Sequence, residues 1–141
     1  MIAITLPIPD RNLSLNGRVH WSVLRAGQQE QHQNAIIAGL SATMNAGIEV
    51  PVYPNEKVSV YIDVERKKGG NRRDLAGVVE ATKGTMDGLE GIVYTNDSQI
   101  RSYSLRWDAK PTGNGLIHLY IRALSEPQDW PVVEWATEEW R

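Results

Sequence analysis

A chain of 141 residues has room for one domain with a substantial core, and not for two. It contains no cysteine, which excludes disulfides and thiolate metal sites and fits a reducing compartment. Any metal is left to oxygen ligands or to the three histidines, which favours a hard cation such as magnesium over structural zinc.

No apolar run approaches membrane-spanning length, and the opening MIAITLPIPD lacks the basic residues and long apolar core of a secretory signal. A cytoplasmic protein without a membrane partner is the expectation. The net charge is −2, but it is unevenly spread. The stretch from Glu126 to Arg141 holds five acids and one base, hence −4, which leaves +2 for Met1 to Ser125. The chain thus reads as one domain over 1–125 followed by an acidic, tryptophan-rich tail over 126–141. Within the domain Arg66, Lys67, Lys68, Arg72 and Arg73 form a basic cluster, and such a patch binds phosphates even on an acidic protein.

In chain order, Ile2, Ile4, Leu6 and Ile8 alternate with smaller residues, a strand signal that Pro7 and Pro9 end or place at an edge. Asp10 to Arg25 reads as a loop presenting Asn16, Arg18, His20, Trp21 and Arg25. Its ordinary reading is an exposed polar loop anchored by Trp21; its functional reading is a phosphate-contacting arm with an aromatic ring that stacks on a base. From Gln28 to Ala46 the spacing turns helical, with Ile36, Ile37, Leu40 and Met44 as the apolar stripe and Gly47 suited to the position past the end. His32 falls on the solvated part of that helix. After Pro51 to Pro54, Val58, Val60, Ile62 and Val64 alternate with Ser59, Tyr61, Asp63 and Glu65, the clearest strand in the chain.

A second helix is expected over Leu75 to Leu89, with Leu75, Val78, Val79, Thr82, Met86 and Leu89 facing a sheet. Glu80, Lys83 and Asp87 share its opposite face, and Asp74 stands just before it, where a carboxylate meets free backbone N–H groups. TNDS marks a turn carrying Asp97. Two more strands follow, Gln99 to Trp107 and Leu116 to Leu124, joined by a hairpin-like KPTGNG, with His118 on an outward strand face in a structural role. The order β-α-β-α-β-β predicts an α/β (α+β) domain, a small mixed sheet with helices packed on one face.

The charged residues each have an ordinary reading. Lys83 bridging Glu80 and Asp87 makes a surface ladder worth about 0.2–0.5 kcal/mol per pair. Asp74 is an N-cap, and Asp97 a turn residue bonded to local backbone. Read together beside a basic loop, they describe a magnesium site for phosphodiester hydrolysis. Magnesium needs only one or two carboxylates plus a phosphate oxygen, and it lowers the pKa of an attacking water. Lys83 then offsets transition-state charge, while Arg72 and Arg73 grip neighbouring phosphates. The two aspartates converge if the strand after the TNDS turn pairs beside the strand before the basic loop.

The same residues resemble the RusA-type Holliday-junction resolvases, especially those carried by bacteriophages. The resemblance lies in RRD (Arg72 to Asp74), Lys83, DGL (Asp87 to Leu89) and NDSQI (Asn96 to Ile100), preceded by TLPIP (Thr5 to Pro9), Asn16, Arg18, His20 and Trp21. It covers most of Ile2 to Leu124 and leaves the tail unaccounted for.

It implies a RusA-like homodimer that binds four-way or otherwise branched DNA and nicks two strands symmetrically. Magnesium is the implied cofactor, with manganese as a substitute, and recombination, repair or phage DNA processing in a bacterial or phage-infected cell is the implied setting. Asp74 and Asp97 match the family's metal-binding carboxylates, Lys83 its essential lysine and Asp87 the acid after that lysine. Asn16, Arg18, His20, Arg25, Lys67, Lys68, Arg72 and Arg73 are the expected DNA contacts. Where the family has a second aspartate and an asparagine, this chain has Ala76 and Gly77, so Glu80 or Asp87 is expected to supply the missing metal ligand. Two rival readings are a non-catalytic branched-DNA-binding protein with a decayed metal site and an interaction module built on the tail.

Overall fold

The computed structural model describes residues 1–7, 21–65, 82–107 and 115–126 of the chain. Among them the elements are β1 (Ile2–Pro7), α1 (Trp21–Ala46), β2 (Val58–Val64), α2 (Lys83–Gly88), a single 3-10 turn (Asp97–Gln99), β3 (Ile100–Trp107) and β4 (Leu116–Ala123). The fold is mixed α+β: a four-stranded sheet in the order β1-β4-β2-β3, with the helices on one face. No helix among the described residues is long and apolar enough to cross a membrane.

β4 runs antiparallel to both β1 and β2, whereas β3 joins only β2, in parallel. The expected hairpin between the last two strands is therefore not formed. β2 lies between them, because its side chains are buried on both faces and such a strand belongs at the centre of a sheet. Residues 110–114 of KPTGNG lie outside the described residues.

The helix-facing side of the sheet is aliphatic. Ile2, Ile4 and Leu6, the even residues of β2 and the odd residues of β4 form one core with Ala35 of α1, Met86 of α2 and Leu89 just after it. The other side is polar yet also buried, against the simple alternation of an exposed face. Asp63 and Glu65 are 2% and 1% exposed. The Arg106 guanidinium stands 5.2 Å over the Tyr61 ring, which packs 5.7 Å from Tyr120 across the β2–β4 register. His118 holds Thr5 Oγ1 at 3.0 Å through Nδ1 and lies 3.3 Å from Glu65 through Nε2.

α1 departs from its expected course in two ways. It begins at Trp21, so Trp21 to Arg25 are helical rather than loop, and its buried stripe is Gln31, Ala35, Gly39 and Thr43. The apolar candidates Ile37, Leu40 and Met44 face outward, 67%, 38% and 77% exposed, while Ile36 packs partly on the core. Close approach decides the matter. A Cβ at Gly39 would sit 2.9 Å from Leu89 Cδ2, one at Gly84 2.7 Å from the Gln28 carbonyl oxygen, and one at Gly88 2.6 Å from that of His32. Only the small-residue face of α1 fits so near α2 and the segment after it, and dense contact there outweighs burying larger side chains at longer range. Gly47 ends α1 as expected, with φ +66° and its N–H bonded to the Met44 carbonyl at 3.1 Å.

Gly88→Ala is expected to destabilise the fold by about 1–3 kcal/mol, since the obstacle is backbone and cannot rotate away. Met44→Gln on the same pair of helices is expected to change stability by less than about 0.5 kcal/mol. Urea unfolding of the two variants measures both, and the reverse ranking would restore the apolar stripe as the buried face.

Candidate metal centre

α2 is short, and the chain after it folds back tightly. The Tyr94 hydroxyl donates to the Met86 carbonyl inside α2, and the Gly91 N–H bonds the Tyr94 carbonyl at 2.7 Å. Gly91 takes φ +83°, which glycine adopts without the steric cost a Cβ brings. The Val52 and Tyr53 N–H groups bond the carbonyls of Ile92 and Val93, so this return is tied to the segment that leads into β2.

The next turn is fixed by a side chain that sequence reading did not single out. Gln99 is 7% exposed and makes four hydrogen bonds. Its Oε1 accepts from the Thr95 and Asn96 N–H groups, and its Nε2 donates to the Tyr53 and Glu56 carbonyls at 2.9 and 2.8 Å. Asn96 completes a capping box by accepting from the Ser98 N–H at 2.9 Å. Asn96 therefore makes the local side-chain-to-backbone bond that was expected of Asp97, whose own N–H donates to Glu90 Oε1 at 3.2 Å.

These constraints bring three carboxylates together. Asp87 on α2, Glu90 after it and Asp97 in the turn each offer an oxygen, and these oxygens all lie within 4.8 Å of one another. Opposed oxygens around magnesium are about 4.2 Å apart and around calcium about 4.6–5.2 Å, so the spread suits a divalent cation bound directly or with a water in one position. Two unit negative charges 4.8 Å apart repel by about 1 kcal/mol in water and more near protein, which a bound cation reverses. The donor set is all oxygen, the chemistry of a hard cation.

Tyr103 of β3 faces this group. Its phenol is pushed up from the ordinary tyrosine range by burial and then by the Asp97 and Asp87 charges, so it stays a proton donor beside the carboxylates. The deeply buried Tyr94 is shifted the same way, burial again being the main cause. Asp87 also lines a cleft of about 390 Å³ between the helices, together with Arg25, Gln28, Gln29, His32, Lys83 and Gly84.

Of the sequence-derived metal candidates, the structure brings Asp87 and Asp97 together. Asp74 and Glu80 lie outside the described residues, as do the basic-loop residues Lys67, Lys68, Arg72 and Arg73 and the arm residues Asn16, Arg18 and His20. Lys83 is exposed on α2 and faces the cleft with Arg25, and His32, expected in solvent, is half-buried there. β3 pairs beside β2, the pairing on which convergence was made to depend. Glu90 and Tyr103 were missed. Glu90 carried a faint signal, three residues after Asp87; Tyr103 carried none, because only the parallel pairing sets it near that turn. No known family model matches the chain, and no curated protein does.

Gln99→Ala is expected to cost about 2–3 kcal/mol in stability, because it strips partners from four largely buried backbone groups. Glu90→Gln is expected to leave stability nearly unchanged and to weaken divalent-cation binding about tenfold or more. Calorimetric titration with magnesium and calcium reads the second effect, and unchanged affinity would remove Glu90 from the centre.

Proposed function

We propose that this chain is a metal-dependent endodeoxyribonuclease of the RusA type, a homodimer that resolves four-way or branched DNA by paired phosphodiester cleavage. The observation that carries this reading is the convergence of Asp87, Glu90 and Asp97. Two of those acids stand in the DGL and NDSQI motifs on which the resemblance rests. Glu90 answers the absence of an acid at Ala76, supplying the third carboxylate from after the helix rather than before it.

Bound there, magnesium would lower the pKa of an attacking water and neutralise charge building on the scissile phosphate. The protein's own groups divide the remaining tasks. Glu90 accepts the Asp97 N–H, which holds the turn in register with α2. Lys83 lies one helical turn before Asp87, so its ammonium and the carboxylates flank the same ground and it can meet a phosphate oxygen. Tyr103, kept protonated, offers a hydrogen bond to a non-bridging oxygen or to a water near the carboxylates. A twofold-related pair of such sites suits the near-twofold symmetry of a four-way junction.

A synthetic four-way junction incubated with the protein is expected to show paired nicks with magnesium and none with chelator. Asp97→Asn is expected to lower nicking by more than about a hundredfold while keeping junction affinity, since even groups that only orient metal ligands are commonly worth 10–100-fold. A metal-independent gel shift without nicks would favour the non-catalytic binder, and no salt-sensitive DNA affinity at all would sink both. Normal nicking by Asp97→Asn would remove that residue from the site.

A further inference from the structure

The cleft between α1 and α2 lies beside the carboxylate group but has the opposite chemistry. Arg25, Gln28, Gln29 and His32 fall at i, i+3, i+4 and i+7 on α1, so one face of that helix lines it. Lys83 lines it from α2. Every one of these five side chains can donate a hydrogen bond, and two carry a fixed positive charge. Among the described residues the single acid in the lining is Asp87, which the cleft shares with the carboxylate group. A cation held by that group would take up the Asp87 charge and leave the cleft a site for anions.

Its shape follows from α2's first glycine. Gly84 lies in the lining, and a Cβ there would meet the Gln28 carbonyl at 2.7 Å, so any side chain would part the helices that face Arg25 and Lys83 toward one opening. At about 390 Å³ the cleft falls near the small end of small-ligand sites, enough for a phosphate with its sugar. Arg25 and Lys83 supply the charge-assisted bonds that phosphate oxygens favour, and the glutamine amides add neutral donors.

We propose that this cleft is a phosphodiester subsite for the backbone phosphate next to the one that is cut, with Arg25 and His32 of α1 gripping it and Asp87 marking its boundary with the cation centre. This rests on the endonuclease reading for what the neighbouring site does, but not for the cleft's preference for a nucleic-acid phosphate. Arg25 and His32 are thus substrate-positioning residues, and their loss should weaken binding and raise KM while leaving kcat at saturation nearly intact.

The test measures affinity for a four-way junction in magnesium with Asp97→Asn as parent, and steady-state cleavage with the otherwise unaltered chain. Adding Arg25→Gln and His32→Gln is expected to weaken affinity about tenfold or more and to reduce the salt dependence of binding by about one phosphate contact. Arg25→Lys should regain part of the loss. Lys57→Gln, an equal charge change at an exposed position near Leu124, should not reproduce it. Thermal unfolding confirms that the variants fold. Competition separates sources of the phosphate: displacement by a short duplex but not by equimolar inorganic phosphate supports a nucleic-acid subsite, whereas equal displacement by both overturns it. If the unaltered chain cleaves but the double variant binds and cleaves like Lys57→Gln, the subsite is wrong and the nuclease reading stands. If the unaltered chain binds the junction without nicking it and the double variant loses that binding, the subsite stands and the nuclease reading falls. An unaltered chain with no DNA affinity overturns both.

Discussion

Contact between two helices at backbone distance governs this molecule. The carbonyls of Gln28 and His32 on α1 lie where Cβ atoms would stand on Gly84 and Gly88 of α2, and Leu89 lies where one would stand on Gly39. α2 is only six residues long, too short to hold its place by its own hydrogen bonds, so its position is set by what it packs against. Met86 and Leu89 enter the core while Lys83 and Asp87 stay toward solvent. A wider separation would move both charged residues away from Arg25 on one side and from the turn at Asp97 on the other.

The second constraint is the parallel pairing of β3 with β2. It begins with an irregularity, Val58 opposite Ile100 and Ser59 opposite Ser102, which takes up Arg101 and sets Tyr103 on the helix side of the sheet beside Val60. The turn before β3 is then pinned from below by Gln99, whose amide reaches the backbone of Tyr53 and Glu56 ahead of β2. Asp97 is thus carried on a turn with little freedom, though its carboxylate is exposed. Rigid support under an exposed acid is what a cation centre needs, because ligand oxygens already near their final spacing lose less entropy on binding.

Negative and positive groups are sorted along one edge of the helix layer. Asp87, Glu90 and Asp97 gather at one end of α2, and Arg25, Lys83 and His32 gather across its start. Asp87 belongs to both. A chain with a net charge of −2 can in this way set an acidic group that could hold a cation beside a basic cleft, since local placement and not total charge sets the field at each. The polar, buried side of the sheet is separate from this edge, its Thr5–His118–Glu65 and Arg106–Tyr61 contacts lying across β2 from the helices.

Read by itself, the chain determined the strands and their α+β class, because alternation in Val58 to Val64 and Leu116 to Ala123 is a local property, whereas the burial of both faces of these strands is a tertiary outcome. It also marked Asp87, Lys83 and Asp97, whose motif spacing is visible without coordinates. It misplaced the inward face of α1, because hydrophobicity counts Ile37, Leu40 and Met44 but cannot count the gain from a glycine–carbonyl contact with a helix some fifty residues away. Neighbouring strands in sequence were read as neighbours in space, and only the sheet shows β2 between them. Glu90, Tyr103, His32 and the cleft itself owe their places to non-local packing. Such packing depends on which surfaces meet, and no periodicity along one chain records that.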